Sequence, residues 1–220
     1  MKKFALAMVA SLATAGAAQA AFLIEVDTDG LDDGPFTPSA NFAFGGDTGT
    51  ASTSVAGTAV GLTGGDSLFG GDGSAVDTYT YSYTPGTDAD NLVLAAGTAL
   101  NNAGSFATGL AGGASDTYTF YATWPATTNV SGGDTTFTLN GSDSSSVVLA
   151  VLDQNGNDGT WVKLGSAPLT AGVAYTLVQE STAATFVSMR ASGVLIEVPE
   201  PASAALMALG GLAALRRRSA

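Results

Sequence analysis

The sequence predicts an all-β fold, an antiparallel β-sandwich of the jelly-roll type, and three observations support this prediction. Aromatic and polar residues alternate strictly in two segments, which is the period of a strand that buries one face. Short apolar segments recur between clusters of Gly, Asn and Asp, the residues that tight turns favour. No long amphipathic helical pattern separates them. Many short strands without intervening helices favour a sandwich or jelly roll.

The two alternating segments supply the predicted core. Residues 77–85 carry tyrosine at every second position, and residues 116–125 repeat the spacing with aromatic residues and one alanine. Each segment ends at a proline, which is typical of a strand that leaves its sheet. Because alternate side chains share one face, we expect a common buried side for Tyr79, Tyr81, Tyr83, Tyr118, Phe120, Ala122 and Trp124.

The remaining strands are predicted from shorter apolar segments, all within a single β-sandwich domain that spans residues 21–197. Residues 86–112 interrupt the rhythm with Ala-, Asn- and Gly-rich sequence around Leu92–Leu94. This stretch is interpreted as an insertion, either a long loop or a short added hairpin. The further predicted strands cover residues 22–26, 135–139, 146–152, 160–164, 174–179, 185–189 and 193–198.

The N-terminus has the pattern of a secretory signal peptide. Lys2 and Lys3 precede an apolar stretch that ends in Ala18-Gln19-Ala20. A positive segment, a short apolar segment and an Ala-x-Ala site predict cleavage after Ala20, and they disfavour a buried N-terminal helix. Residues 1–20 are therefore predicted to direct export, with signal peptidase and the Sec machinery as partners.

The C-terminus resembles a membrane anchor that is too short. The apolar run Ala202–Leu215 would span about 21 Å as a helix, against a hydrocarbon core of about 30 Å. Arg216, Arg217 and Arg218 follow it, and the positive-inside bias keeps such residues on the cytoplasmic side. This arrangement predicts a short transmembrane helix that inserts only transiently, with the folded domain outside the membrane.

The segment before this helix carries a family resemblance. Val198-Pro199-Glu200-Pro201, the short apolar helix and the terminal arginines resemble a PEP-CTERM sorting signal over residues 198–220. The resemblance implies processing by an exosortase, a membrane-embedded cysteine transpeptidase of Gram-negative bacteria that make extracellular polysaccharide. It also implies that Pro199, Glu200 and Pro201 form the processing site. The prolines agree with this role because they keep the backbone extended for a processing enzyme.

Composition excludes several classes of chemistry. The chain has no cysteine and no histidine, which removes thiol catalysis, thiolate metal sites and Ser-His-Asp enzymes. Nineteen acidic residues against seven basic ones give a net charge of −12, and Lys163 and Arg190 are the only basic residues between the two ends. Such a surface repels nucleic acid and anionic lipid. We therefore expect no nucleic-acid partner.

A second resemblance covers the body of the chain. The segment Leu152–Gly165 is similar to the Asp-Gln and Gly-x-Trp-x-x-Leu-Gly pattern of golvesin-type modules, which also occur at the C-terminus of xanthan lyases. Tyr118–Pro125 and Ile24–Asp27 resemble two strands of the same family. The resemblance implies a carbohydrate-binding-like β-sandwich. Met189-Arg190-Ala191 departs from the Ala-Asp-Ala core of the family's closing strand, which puts a shared ligand in doubt more than a shared fold.

The candidate sugar site follows from Trp161. A lectin-like site combines exposed aromatic rings, which contact the C–H faces of a sugar, with polar side chains that bind its hydroxyl groups. The alternative is that both tryptophans of the chain fill the core of the sandwich. The residues predicted to bind a sugar are Trp161, Asp153, Gln154, Asn155 and Trp124.

The candidate metal site is an acidic segment after the first predicted strand, residues 25–34. Its carboxylates and turn-forming glycines suit calcium, which prefers hard oxygen ligands. The alternative is a solvated acidic loop without a specific ion. The predicted calcium ligands are Glu25, Asp27, Asp29, Asp32 and Asp33.

These observations predict an exported, non-enzymatic protein of the cell surface or extracellular matrix that binds polysaccharide. The first alternative is a purely structural acidic surface protein without a ligand. The second is an exopolysaccharide-modifying enzyme, since paired carboxylates can hydrolyse glycosidic bonds. The acidic residues nearly all lie in Gly-rich turns, where burial rarely raises a pKa, and this disfavours catalysis.

Overall fold

The structure is a computed structural model of the chain. It describes residues 19–32, 35–46, 51–70, 76–89, 91–94, 115–126, 134–157, 159–181 and 189–197.

These residues form strands, turns and loops, and no helix occurs among them. The strands are β1 (Gln19–Glu25), β2 (Phe42–Gly45), β3 (Ser52–Ser54), β4 (Ser67–Phe69), β5 (Thr78–Tyr83), β6 (Leu92–Leu94), β7 (Asp116–Thr123), β8 (Thr135–Gly141), β9 (Ser146–Leu152), β10 (Val162–Leu169), β11 (Tyr175–Ser181), β12 (Arg190–Ala191) and β13 (Gly193–Glu197).

The strands form three antiparallel sheets. Sheet I has the order β10-β7-β13-β1-β6, sheet II the order β2-β5-β11-β8-β9, and sheet III the order β12-β4-β3. The chain alternates between the two large sheets so that β1, β13, β7 and β10 lie side by side opposite β5, β11, β8 and β9. This is the strand order of a jelly roll, with β6 and β2 added at the edges. The predicted fold class is confirmed.

The core between sheets I and II contains the side chains that the alternating segments predicted. All seven of those residues are at most 2% exposed. Their aromatic rings contact rings of the facing sheet, for example Phe22 with Tyr83 at 5.0 Å and Tyr83 with Tyr118 at 5.8 Å between centroids. Full burial of such a side chain contributes about 1.5–3 kcal/mol, so this aromatic core supplies a large part of the stability.

The outer face of sheet I is also covered. Tyr121, Trp161 and Leu195 pack there against Ala59 and Leu62, which belong to the loop between β3 and β4. The central strand β13 is therefore buried on both faces. This second cluster is smaller than the core between the sheets, but it determines where the β3–β4 loop lies.

The outer face of sheet II has a different character. Apart from Val178 and Glu180, the outward side chains of its three central strands bear hydroxyl or amide groups, and all of them remain half-buried or exposed. We call this surface the hydroxyl face; it consists of Thr78, Thr80, Ser82, Thr136, Thr138, Asn140 and Thr176.

Several details differ from the sequence prediction. Strands β2, β3 and β4 were not predicted because they are three or four residues long and lack a clear alternation. Strand β10 begins at Val162, so the predicted strand 160–164 starts too early. Leu92–Leu94, in the predicted insertion, forms the edge strand β6 beside β1. Residues 95–112 of that insertion and 185–188 lie outside the described part.

The described residues include only a small part of the two ends of the chain. Strand β1 includes Gln19 and Ala20, whose backbones pair with β6, so the predicted cleavage after Ala20 would leave the mature chain starting within β1. Ala18 and residues 198–220, including the predicted helix, lie outside the described residues. Within the part that the structure describes, no helix is long and apolar enough to cross a membrane.

Candidate functional site

The turn between β9 and β10 contains most of the predicted sugar-binding residues, and both indole rings of the candidate site are buried. Trp161 is 2% exposed and Trp124 is 1% exposed. The Nε1 group of Trp161 donates to the backbone oxygen of Val60 at 2.8 Å, and that of Trp124 donates to the backbone oxygen of Gln154 at 3.0 Å. Neither ring offers a face to a sugar. The prediction that they stack on a ligand is corrected in favour of its alternative, tryptophans that fill the core.

Gln154 is also removed from the predicted sugar site, because its side chain is fully buried. Its Nε2 donates to the backbone oxygen of Arg190 at 2.8 Å, and its Oε1 accepts from the backbone nitrogen of Arg190 at 2.9 Å. Gln179 Nε2 donates to the same backbone oxygen at 2.7 Å, and Tyr81 donates its hydroxyl proton to Gln179 Oε1 at 3.0 Å. We call this set of bonds the amide clasp. It joins the β9–β10 turn, sheet II and strand β12.

Asp153 and Asn155 are the predicted sugar ligands that remain exposed. Asp153 Oδ1 accepts from the backbone nitrogen of Asn155 at 2.9 Å and from its Nδ2 at 2.7 Å. These bonds form an Asx turn, which fixes the tip of the loop. The structure therefore brings the two polar side chains together at the surface, while the two tryptophan rings of the predicted site are buried.

Glu25 fastens the β3–β4 loop to the end of β1. Its Oε1 accepts from the backbone nitrogen of Thr63 at 2.6 Å, and both carboxylate oxygens lie within 3.2 Å of the Thr63 hydroxyl. The side chain is 8% exposed. Since Thr63 satisfies both oxygens, the observed role of Glu25 is structural, which separates it from the other predicted calcium ligands.

Asp27 and Asp29 shape the loop after β1. Asp27 Oδ1 accepts from the backbone nitrogen of Asp29 at 3.0 Å, and Asp29 Oδ1 accepts from that of Leu31 at 2.9 Å. Asp27 is 2% exposed, and its Oδ2 is buried without a hydrogen-bond partner. Asp33 lies outside the described residues.

Asp66 joins this acidic loop, and the sequence did not indicate it. It precedes β4, is 6% exposed, and shares a side-chain hydrogen bond with Asp32. That bond, burial, and the nearby charges of Asp27, Asp32 and Asp29 raise the pKa of Asp66 to about 6. As the side chains lie, no three acidic groups in the described ranges are assembled around a common point. The sequence gives no signal for Asp66, because this residue stands alone between glycines and a serine, far along the chain from the acidic segment.

A cleft lies between strands β9 and β10, where the edges of sheets I and II meet. It has a volume of about 200 Å³. Its lining is mainly apolar and includes three serines, and Tyr175 is its one titratable residue. The cleft is lined by Leu139, Ser145, Ser146, Val147, Ser166, Ala167, Pro168 and Tyr175.

Comparison with known proteins decides the role of the C-terminus. Residues 197–219 match the PEP-CTERM protein-sorting motif. The motif indicates export, sorting to the cell surface and processing by an exosortase. The predicted resemblance of Pro199, Glu200, Pro201 and the arginine tail to this signal is confirmed.

Two solved structures resemble the body of the chain. A Paenibacillus xanthan lyase has 15% identity and a TM-score of 0.46, covering 82% of this chain and 13% of the lyase. A family 35 carbohydrate binding module from an environmental isolate has 14% identity and a TM-score of 0.40, covering 82% of this chain and 98% of the module. The chain thus spans only 13% of the length of the lyase. No curated protein matches the sequence.

The amide clasp yields a stability prediction. Gln154→Ala removes the partner of the Arg190 backbone nitrogen, which lies in a part-buried position, and an unsatisfied group away from water costs about 1–3 kcal/mol. We expect the free energy of unfolding, measured by urea denaturation of the mature protein, to fall by about that amount. Asn155→Ala, a change at the exposed neighbour, should alter it by no more than about 0.5 kcal/mol. Equal effects of the two variants would contradict a structural role for Gln154.

Asp66 yields a pH prediction. Its pKa is higher in the folded protein than in an unfolded chain, so its contribution to stability is complete below about pH 4 and lost as the pH rises through about 6. Asp66→Asn cannot ionise and should therefore gain melting temperature relative to the wild type between pH 4 and 7. Thermal unfolding with a chelator present measures this. The matched variant Asp134→Asn, at an exposed position, should show no such gain; parallel curves for wild type and Asp66→Asn would refute the assignment.

Proposed function

We propose that this exported, exosortase-processed protein is a non-enzymatic surface protein whose β-sandwich binds extracellular polysaccharide on the hydroxyl face. The observation that carries the proposal is the composition of that face. Once the tryptophans are assigned to buried clusters, it combines hydrogen-bonding groups and methyl groups over several adjacent strands. A polysaccharide needs both, because its hydroxyl groups take hydrogen bonds and its C–H faces take apolar contact.

The register of sheet II arranges these groups in rows. In one row, Thr80 and Thr138 flank Val178, and Val148 of strand β9 lies opposite Thr138. Adjacent strands are about 4.8 Å apart, and residues on one face repeat about every 6.8 Å along a strand. The face therefore offers a regular array of hydroxyl and methyl groups. Such a surface suits contact with an extended chain of repeating units better than capture of a single sugar.

Charge also favours this face as the contact surface. The protein carries a net charge of −12. Among the outward positions of β5, β8 and β11, Glu180 is the one ionisable residue. A neutral or acidic polysaccharide meets less electrostatic repulsion there than at the acidic loops. Electrostatic repulsion thus favours the hydroxyl face over the acidic loops as the surface that such a polymer contacts.

The absence of catalysis is part of the proposal. The chain has no histidine or cysteine to act as base or nucleophile. Asp66 is the described carboxyl group whose pKa is markedly raised, and its neighbours are the loop carboxylates. The β9–β10 cleft is lined by no carboxylate. Glycoside hydrolysis requires a pair of carboxylates that flank a cleft, so this arrangement disfavours it.

Binding on the hydroxyl face predicts retention in affinity gels that contain polysaccharide. The mature protein should be retarded by at least one neutral or acidic bacterial polysaccharide. Thr138→Ala combined with Thr176→Ala removes two hydroxyl groups and should weaken retardation about tenfold, equivalent to about 1.4 kcal/mol. Thr53→Ala combined with Thr117→Ala, outside this face, is the matched control and should leave retention unchanged.

Three outcomes contradict this part of the proposal. Absence of retention on every polysaccharide favours the inert acidic surface protein. Equal loss in both double variants places binding elsewhere. Release of new reducing or unsaturated sugar ends by the purified protein would show that it is an enzyme.

Export and sorting predict the mature C-terminus. We propose that processing near Pro199-Glu200-Pro201 removes the arginine tail and transfers the domain to the cell surface or extracellular matrix. Mass spectrometry of the exported protein should find no peptide that contains Arg216–Arg218. Pro199→Ala combined with Glu200→Ala should retain that peptide, as should the wild type in cells without exosortase. An intact tail on wild-type protein at the surface would refute processing.

A further inference from the structure

The geometry points to a divalent cation site, of the calcium class, formed by Asp27, Asp32 and Asp66. This set differs from the one predicted from sequence, because Glu25 is engaged by Thr63 and Asp66 enters from a distant part of the chain. The site goes beyond polysaccharide binding and does not depend on it. It lies where the loop after β1 meets the start of β4.

The first observation is the second carboxylate oxygen of Asp27. Its Oδ2 is buried and has no hydrogen-bond partner, and the residue as a whole is only 2% exposed. An unpaired carboxylate oxygen away from water is costly, and proteins usually pair it with a donor or a metal ion. The other oxygen, Oδ1, already accepts from the backbone nitrogen of Asp29. Oδ2 therefore remains to bind a cation.

The second observation is the approach of two further carboxyl groups. Asp32 and Asp66 share a side-chain hydrogen bond, and Asp66 directly follows Gly65, which packs against Asp27. Gly65 makes this approach possible, since a Cβ there would lie 3.0 Å from the backbone oxygen of Asp27. Carboxyl groups this close repel each other when ionised unless a proton or a cation lies between them. A divalent cation supplies the missing positive charge.

Ion binding requires a rearrangement of the acidic side chains. The three carboxylates do not surround a common point in the ion-free protein, within the residues described. Asp27 and Asp66 are held in buried positions, whereas Asp32 is exposed in the loop. We expect Asp32 to exchange its hydrogen bond with Asp66 for a shared contact with the ion. Backbone carbonyl groups and water would complete the coordination shell.

The donor set determines the class of cation. Carboxylate and carbonyl oxygens are hard ligands that suit calcium and magnesium, and the chain offers neither thiolate nor imidazole to softer metals. Calcium accepts six to eight oxygens in irregular geometry, whereas magnesium requires a near-ideal octahedron. A loop held by turns and one strand end favours calcium. The bound ion would link the end of β1 in sheet I to the start of β4 in sheet III.

Calorimetric titration of the chelator-treated mature protein with calcium chloride tests the site. Extracellular modules bind calcium with dissociation constants of about 10⁻⁴–10⁻³ M, so the titration extends to about 10 mM. We expect one ion per chain and a melting temperature that rises with calcium concentration. Magnesium should bind at least tenfold more weakly. The metal alone is the probe, so the result does not depend on any polysaccharide.

Variants separate this site from general attraction to an acidic surface. Asp66→Asn should fold, because it resembles the protonated carboxyl group, and it should lose at least tenfold in calcium affinity. Asp32→Asn should lose a similar amount, whereas the exposed Asp134→Asn should bind as the wild type does. Circular dichroism verifies folding of each variant. Lack of calcium binding by the wild type, or equal affinity of Asp66→Asn and wild type, would overturn the proposal.

Discussion

The amide clasp is the interaction on which the rest of the structure depends. Gln154 and Gln179 enclose the backbone of Arg190, and Trp124 and Tyr81 extend the network into the aromatic core. A core of tyrosine and tryptophan can be buried only if its polar atoms find partners. Gln179 of the clasp supplies the partner of Tyr81, and the backbone oxygen of Gln154 supplies the partner of Trp124. The clasp also fixes β12, and through β12 the small sheet III, against the two main sheets.

This constraint divides the polar residues of the protein into two groups. The polar residues of the first group, such as Gln154 in the β9–β10 turn and Gln179 in β11, bond to groups inside the fold. The buried part of the segment that resembles a sugar-binding module therefore has a structural role. The hydroxyl face and the acidic loop instead present polar groups at or near the surface, some of which, such as Thr80 and Asn140, also donate or accept hydrogen bonds within the fold. Asp27 Oδ2 is the clearest example of a group available to a ligand, because it is buried and unpartnered, whereas the Oδ1 atoms of Asp27 and Asp29 each accept a backbone hydrogen bond within a turn. We therefore expect ligands to bind to this second group.

The sequence predicted the sandwich well because alternation is a local property. A strand that buries one face repeats every two residues, as Tyr79, Tyr81 and Tyr83 do, whatever its neighbours are. The short strands β3 and β4 carry no such repeat, since they exist only because they pair with each other and with β12. For the same reason the sequence does not indicate Asp66. The fold of the β3–β4 connection brings Asp66 close to Asp27 and Asp32, although these residues are far apart along the chain.

The sequence by itself determined the fold class, the sorting signal at the C-terminus and the exclusion of histidine and cysteine chemistry. Each of these depends on residue identity or on local period. Only the tertiary structure decided which candidate residues are available to a ligand. Trp161 is buried because the β3–β4 loop covers the outer face of sheet I, and Gln154 is buried because β12 packs against its turn. Burial results from contacts between segments distant in sequence, which local patterns of residues do not record.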